Sequence, residues 1–186
     1  MEETLRQIPS DCLKIVLFGP ESSGKTTLAR ALAQRYKTEW VPEYMREYLQ
    51  KKWDKNKESI TKQDLLPIAY GQMEMENKAA RKANTFLFCD TNLREIKVYC
   101  DYYYDGFCPE EILKATSENT YDHYFLTHID TPWEQDDLRD RPYDREKLFR
   151  IFEAELQKNS LPYTVLVGSE KERLIKAAQV LATLKL

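Results

Sequence analysis

Gly19-Pro20-Glu21-Ser22-Ser23-Gly24-Lys25-Thr26 fits the spacing G-x-x-x-x-G-K-[ST]. The glycines let the backbone turn so that successive N–H groups point inward at phosphate oxygens. A helix that starts there presents its positive end to the same anion. Lys25 can reach the β- and γ-phosphates as a point charge, and the Thr26 hydroxyl can coordinate Mg2+. The expected ligands are therefore ATP and Mg2+.

Five further residues could complete a phosphoryl-transfer site. Asp90 closes a very apolar run. A carboxylate there can hold Mg2+ or orient an acceptor hydroxyl, or it caps the helix that follows. Glu43 is either a general base for that hydroxyl or a first-turn acid favoured by a helix dipole. Arg46 either binds a substrate phosphate or pairs with a surface acid. Residues 131–145 contain Trp133, Asp136, Asp137, Arg139, Arg141 and Arg145 and cannot form a core. They read as a lid whose Arg139 and Arg145 close over the transferring phosphoryl group, or as a solvated charged loop. Tyr102, Tyr103, Tyr104 and Trp53 could stack on a flat ring, although aromatics more often pack.

These residues must be carried by a regular scaffold. Leu13–Phe18 is a short apolar run with β-branched centre, ending at Gly19, and predicts a buried strand. Leu28, Ala29, Leu32 and Ala33 recur at helical spacing after it. Further strands are expected at Thr38–Val41, Phe86–Cys89, Tyr124–Thr127 and Tyr163–Val167. Helices are expected from Glu43 to about Lys52, from Thr61 through Ala83, from after Asp90 to about Tyr104, after Pro109 and from Ser169 onward. The first ten residues read as a polar lead-in, and Trp53–Ser59 as a lysine-rich surface loop. Strands alternating with helices predict an α/β domain with a mainly parallel sheet, whose ligands sit outside the carboxyl ends of the strands.

The composition removes other classes. The chain has 186 residues, a length for one domain, with 42% hydrophobic and 32% charged residues, a globular balance. No apolar run approaches the roughly 20 residues of a membrane helix, and no signal peptide is expected from its opening residues. A net charge of -3 weighs against nucleic acid as a partner. Cys12, Cys89, Cys100 and Cys108 show no metal-ligand spacing and read as reduced thiols of a cytoplasmic protein. His123 and His128 show none either. A homo-oligomer is left open.

Gly-Pro-Glu-Ser-Ser-Gly-Lys-Thr-Thr is followed by Pro-Glu-Tyr-x-Arg-Glu-Tyr at 42–48, by Asp90-Thr91, and by Thr-Pro-Trp-x-x-Asp-x-Leu-Arg at 131–139 with Asp144-Arg145 beyond. This series resembles the nicotinamide-riboside kinase domain of the NadR type, from about Leu13 to the C-terminus. The resemblance implies a P-loop kinase fold, with a five-stranded parallel sheet flanked by helices, and phosphorylation of a ribosyl 5′-hydroxyl. It maps the phosphate loop onto Gly19, Glu21, Ser22, Ser23, Gly24, Lys25, Thr26 and Thr27, and the lid arginines onto Arg139 and Arg145. Glu43, Tyr44, Arg46 and Asp90 fall on its substrate-side blocks. The adenylyltransferase domain of bifunctional members is not expected here. Where the family grips the nicotinamide ring between two aromatic side chains, this chain has Pro42 and, without gaps, Asn77. Trp40, Trp53 or Tyr70 could replace them; otherwise the acceptor is another small nucleoside or a vitamin alcohol.

The reading is thus one P-loop kinase domain over 1–186, with a lid at about 131–145, that phosphorylates a small nucleoside-like molecule. The rival is a regulatory P-loop ATPase with no small-molecule acceptor. A GTPase would require an Asn-Lys-x-Asp motif, which this sequence lacks, and an AAA-type machine would require a further helical domain.

Overall fold

The computed structural model describes residues 4–134 and 143–184. Strands β1 (Leu13–Phe18), β2 (Trp40–Val41), β3 (Phe86–Asp90), β4 (His123–Thr127) and β5 (Tyr163–Leu166) form one parallel sheet in the order β2-β3-β1-β4-β5. The helices are α1 (Lys25–Tyr36), α2 (Tyr44–Asn56), α3 (Leu65–Ala80), α4 (Leu93–Tyr103), α5 (Glu110–Glu118), α6 (Arg145–Lys158) and α7 (Glu170–Leu181). This is the expected α/β P-loop fold.

The sheet's two faces explain why its strands are apolar runs rather than alternating ones. Ile15 and Leu17 of β1 point to one side, where they pack with Leu28, Ala29 and Leu32 of α1 and Ala177 and Leu181 of α7. Val16 and Phe18 point to the other, against Val98 and Tyr99 of α4 and Leu148, Phe152 and Leu156 of α6. A third cluster joins α3, α4 and α5. Strand order reverses across β1, since β3 lies on one side and β4 on the other. The crevice at their carboxyl ends is therefore the place for a ligand, and Gly19, Asp90 and Thr127 meet it.

Several boundaries differ from the sequence reading. The second strand is only Trp40–Val41. Helix α2 runs on through Trp53 to Asn56, ending where Lys57 adopts φ 56, so the lysine-rich stretch is half helix. No residue of α2 is fully buried, which is why no apolar stripe announced its length. The expected start of α3 is a 3-10 turn, Lys62–Asp64, entered through a reciprocal capping box between Thr61 and Asp64. Helix α6 was not expected at all.

The lead-in is not a loose tail. Leu5 is buried in the third cluster. The Ile8 N–H donates to Asn77 Oδ1 at 3.0 Å, and the Gln7 N–H donates to Asn119 Oδ1 at 3.2 Å. The side-chain amide of Asn77 returns a bond to the Arg6 carbonyl at 2.9 Å. Beneath it, Lys14 of β1 pairs with fully buried Glu76 of α3 at 3.2 Å. All four cysteines are free thiols. No helix among the described residues is long and apolar enough to cross a membrane.

Candidate functional site

The loop between β1 and α1 uses backbone conformations that its sequence allows. Gly19 has φ 138 and Gly24 has φ 85. A Cβ at Gly19 would also lie 2.9 Å from Thr127 Oγ1, so the close approach of the loop to β4 requires glycine. Ser22, at φ 55, takes the left-handed region without being glycine. The Ser23 hydroxyl lies 2.7 Å from the Pro20 carbonyl and 2.6 Å from Thr127 Oγ1, fixing the loop to the end of β4. Gly24 supplies no side-chain cap to α1, and the first turn holds no acid. The helix N–H groups are thus left for an anion.

Lys25 is withdrawn into the loop. Its ammonium donates to the carbonyls of Gly19 at 2.7 Å and Pro20 at 3.0 Å, and lies 3.5 Å from Glu95 Oε1. Burial works against its charge, but Glu95, Glu43, Asp90 and Glu21 outweigh that and hold its pKa above the ordinary lysine value. Thr26 Oγ1 donates to Asp90 Oδ2 at 2.5 Å, and Asp90 Oδ1 is buried with no partner among the described residues. Burial, with the charge of Glu43 adding, pushes the Asp90 carboxyl up to about 6. A hydroxyl beside an unsatisfied carboxylate oxygen is the hard-oxygen donor set that Mg2+ prefers.

A cleft of about 350 Å3 opens over the loop. Glu21 to Thr27 form its floor, Glu43, Met45, Arg46 and Leu49 one wall, and Thr131, Pro132, Glu134, Glu170 and Arg173 the other. The structure therefore gathers the phosphate loop with Glu43 and Arg46, and sets Asp90 beneath at Thr26. Tyr44 takes a different position. Its N–H donates to Gln72 Oε1 at 2.8 Å, and its ring fills the space left by Gly71 of α3. Arg145 lies at the far rim, donating to the carbonyls of Thr131 at 2.9 Å and Ser22 at 3.0 Å, with its guanidinium 5.8 Å from the centre of the Trp133 ring. Thr131 Oγ1 donates to the same Ser22 carbonyl at 2.8 Å, and the Glu134 N–H to Ser22 Oγ at 2.9 Å. Arg139, with Asp136, Asp137 and Arg141, lies outside the described residues.

None of the aromatics proposed to grip a ring lines this cleft among the described residues. Trp40 packs beneath Arg30, Trp53 beneath Lys57, and Tyr102 against Tyr103, while Tyr70 packs on the third cluster.

Two residues went unnoticed in the sequence. Glu95, in the first turn of α4, is 1% exposed. Burial raises its pKa well above the ordinary range for a glutamate, even though Lys25 opposes the shift. Arg173, in the first turns of α7, donates to the carbonyls of Ser23 at 2.5 Å, Gly168 at 2.9 Å and His128 at 2.9 Å, and pairs with Asp130. It clamps the phosphate loop to the ends of β4 and β5. The only signal for either was a charge at a position where the helix faces inward.

A family model described as an AAA domain matches residues 14–173. The trifunctional NAD biosynthesis/regulator protein NadR of Escherichia coli is 27% identical over 151 residues, which span 80% of this chain and 37% of that protein. Among solved structures, a NadR protein in complex with NR superposes with a TM-score of 0.76 at 19% identity, over 95% of this chain and 53% of that one. A deoxyadenosine kinase from M. mycoides, with dCMP and dCDP bound, superposes at 0.67 and 14% identity, over 92% of this chain and 100% of that one. The two solved structures share the fold.

Proposed function

The chain belongs to this AAA domain family, and on that premise we propose that it is an ATP- and Mg2+-dependent phosphotransferase acting on the hydroxyl of a small nucleoside-like molecule. The observation that carries the proposal is the single cleft in which the phosphate loop, with Asp90 bonded to Thr26, faces Glu43 and Arg46 across space of ligand size. Membership of the AAA domain family leaves the phosphotransferase reading open, since an AAA-type machine would require a further helical domain.

In this reading the N–H groups of the loop and of α1 hold the β- and γ-phosphates, and Lys25 turns outward to them. Thr26 and Asp90 would hold Mg2+, which neutralises phosphate charge when bound. The acceptor lies along Met45 and Leu49, with Glu43 placed to take its hydroxyl proton and Arg46 to hold its polar end. Arg145 ties Thr131 to the loop, and Arg139 would supply positive charge to the transferring group.

NadR relatedness supports nicotinamide riboside or a relative as acceptor. Against nicotinamide riboside itself stand Pro42 and Asn77, the latter committed to Arg6 and Ile8. A wall in which Glu43 and Arg46 flank Met45 and Leu49 favours a related nucleoside held by polar contacts rather than by a ring sandwich. The test is ATP turnover with Mg2+ over a panel of nicotinamide riboside, common nucleosides and thiamine-like alcohols, read by mass spectrometry of the acceptor. A phosphorylated acceptor is expected. ADP formation with every acceptor unmodified would overturn the kinase reading in favour of a regulatory ATPase.

A further inference from the structure

Lys25 has three ammonium donors, and all three face inward. Two meet the carbonyls of Gly19 and Pro20, and the third faces Glu95 at 3.5 Å. Its side chain is 8% exposed and that of Glu95 2%. Neither carboxylate oxygen of Glu95 accepts a hydrogen bond among the described residues, so the contact with Lys25 is ionic. The other charges that bear on Glu95 are Glu43 and Asp90, and both repel it.

We propose that Glu95 is a positioning residue that holds Lys25 withdrawn from the cleft until nucleotide phosphates displace it, and so sets nucleotide affinity by competition. The inference rests on the ATP-binding part of the proposed function. Phosphates that draw Lys25 outward leave Glu95 buried beside Glu43 and Asp90 without its ammonium partner, so that it must either carry an unpaired charge or take up a proton. An unpaired charge in the interior is costly, and that cost falls on every binding event. A protein whose binding-competent state is disfavoured binds more weakly by that factor. The isosteric change Glu95→Gln keeps the shape and removes both the grip on Lys25 and the stranded charge.

The test titrates Mg2+ with a non-hydrolysable ATP analogue into wild type and E95Q by calorimetry, with thermal melts to establish folding. E95Q is expected to bind on the order of tenfold more tightly, and to lower KM for ATP without raising kcat. In a Lys25→Met background the same change is expected to give no gain, because the effect runs through the lysine. Unchanged or weaker binding by folded E95Q overturns the proposal, as does a gain that survives in Lys25→Met. If E95Q does not melt cooperatively, Glu95→Met, of similar length and uncharged, takes its place with the same expected sign. A wild type that binds no analogue sinks this inference and the ATP reading together. Tight binding without any phosphorylated acceptor leaves this inference standing and removes the acceptor.

Discussion

Replacing Asp90 with asparagine separates what the residue does for the site from what it does to the fold. The carboxyl is 1% exposed. Burial, with Glu43 adding to it, moves the group from its ordinary 3.8 to about 6. An acid raised in this way favours folding while it is protonated. Its contribution is complete below about pH 4 and is lost as pH rises through about 6. Each pH unit between the two values is worth about 1.4 kcal/mol, so the ionised native state carries about 3 kcal/mol at pH 8. Asparagine escapes that cost. Its oxygen can still accept from Thr26, but its amide nitrogen falls where Oδ1 has no partner, a loss of about 1 kcal/mol. D90N is therefore expected to be more stable than wild type by about 2 kcal/mol at pH 8, and no more stable at about pH 4. Urea unfolding followed by circular dichroism across that range measures the difference. Phosphoryl transfer is expected to be lost in the variant, together with the extra stability that Mg2+ and nucleotide confer on wild type. A stability difference that stays flat from about pH 4 to 8 would refute the reasoning, because Asp90 would then titrate as an ordinary acid.

Lys25→Ala is expected to abolish phosphoryl transfer with its circular dichroism spectrum unchanged; full activity would remove the phosphate loop from the mechanism. Arg139→Ala is expected to lower kcat more than it alters nucleotide affinity, and an equal kcat in single-turnover assays would contradict its place on a lid. Gly71→Ala would put a methyl group into the Tyr44 ring, and the expected loss is about 1–3 kcal/mol of unfolding free energy, outweighing the small helix-propensity gain. The double variant with Tyr44→Ala should lose less than the sum of the two single changes, and strict additivity in urea melts would mean the two do not touch.

The sheet was legible because its central strands are buried on both faces and so appear as runs. The phosphate loop was legible because its glycines and lysine are close in sequence. Much of what stayed hidden shares one cause: charged side chains placed inward whose partners are far along the chain. In α6, Leu148, Phe152 and Leu156 form an apolar stripe, but Glu155 beside them is also buried, paired with Arg94 and Lys97 of α4. Next to a charged lid, that stretch read as more of the same. Glu95 answers Lys25 across two elements, and Arg173 reaches Ser23 from the far end of the chain. No local pattern encodes such pairs. Glu43 and Arg46 were legible as the first turn after a strand, whereas the packing of Tyr44 depended on a glycine in a different helix.

The strap formed by residues 4–8 has a consequence for the order of assembly. These residues are made before the elements they join: Ile8 waits for Asn77, 69 positions on, and Gln7 waits for Asn119, 112 positions on. Loops of that length are slow to close and gain nothing until closed. During synthesis the strap must therefore remain undocked until α5 has emerged, and only then can it seal the third cluster over Leu5. A nascent chain stalled before Asn119 should present residues 4–8 to a protease, and one stalled well beyond it should protect them.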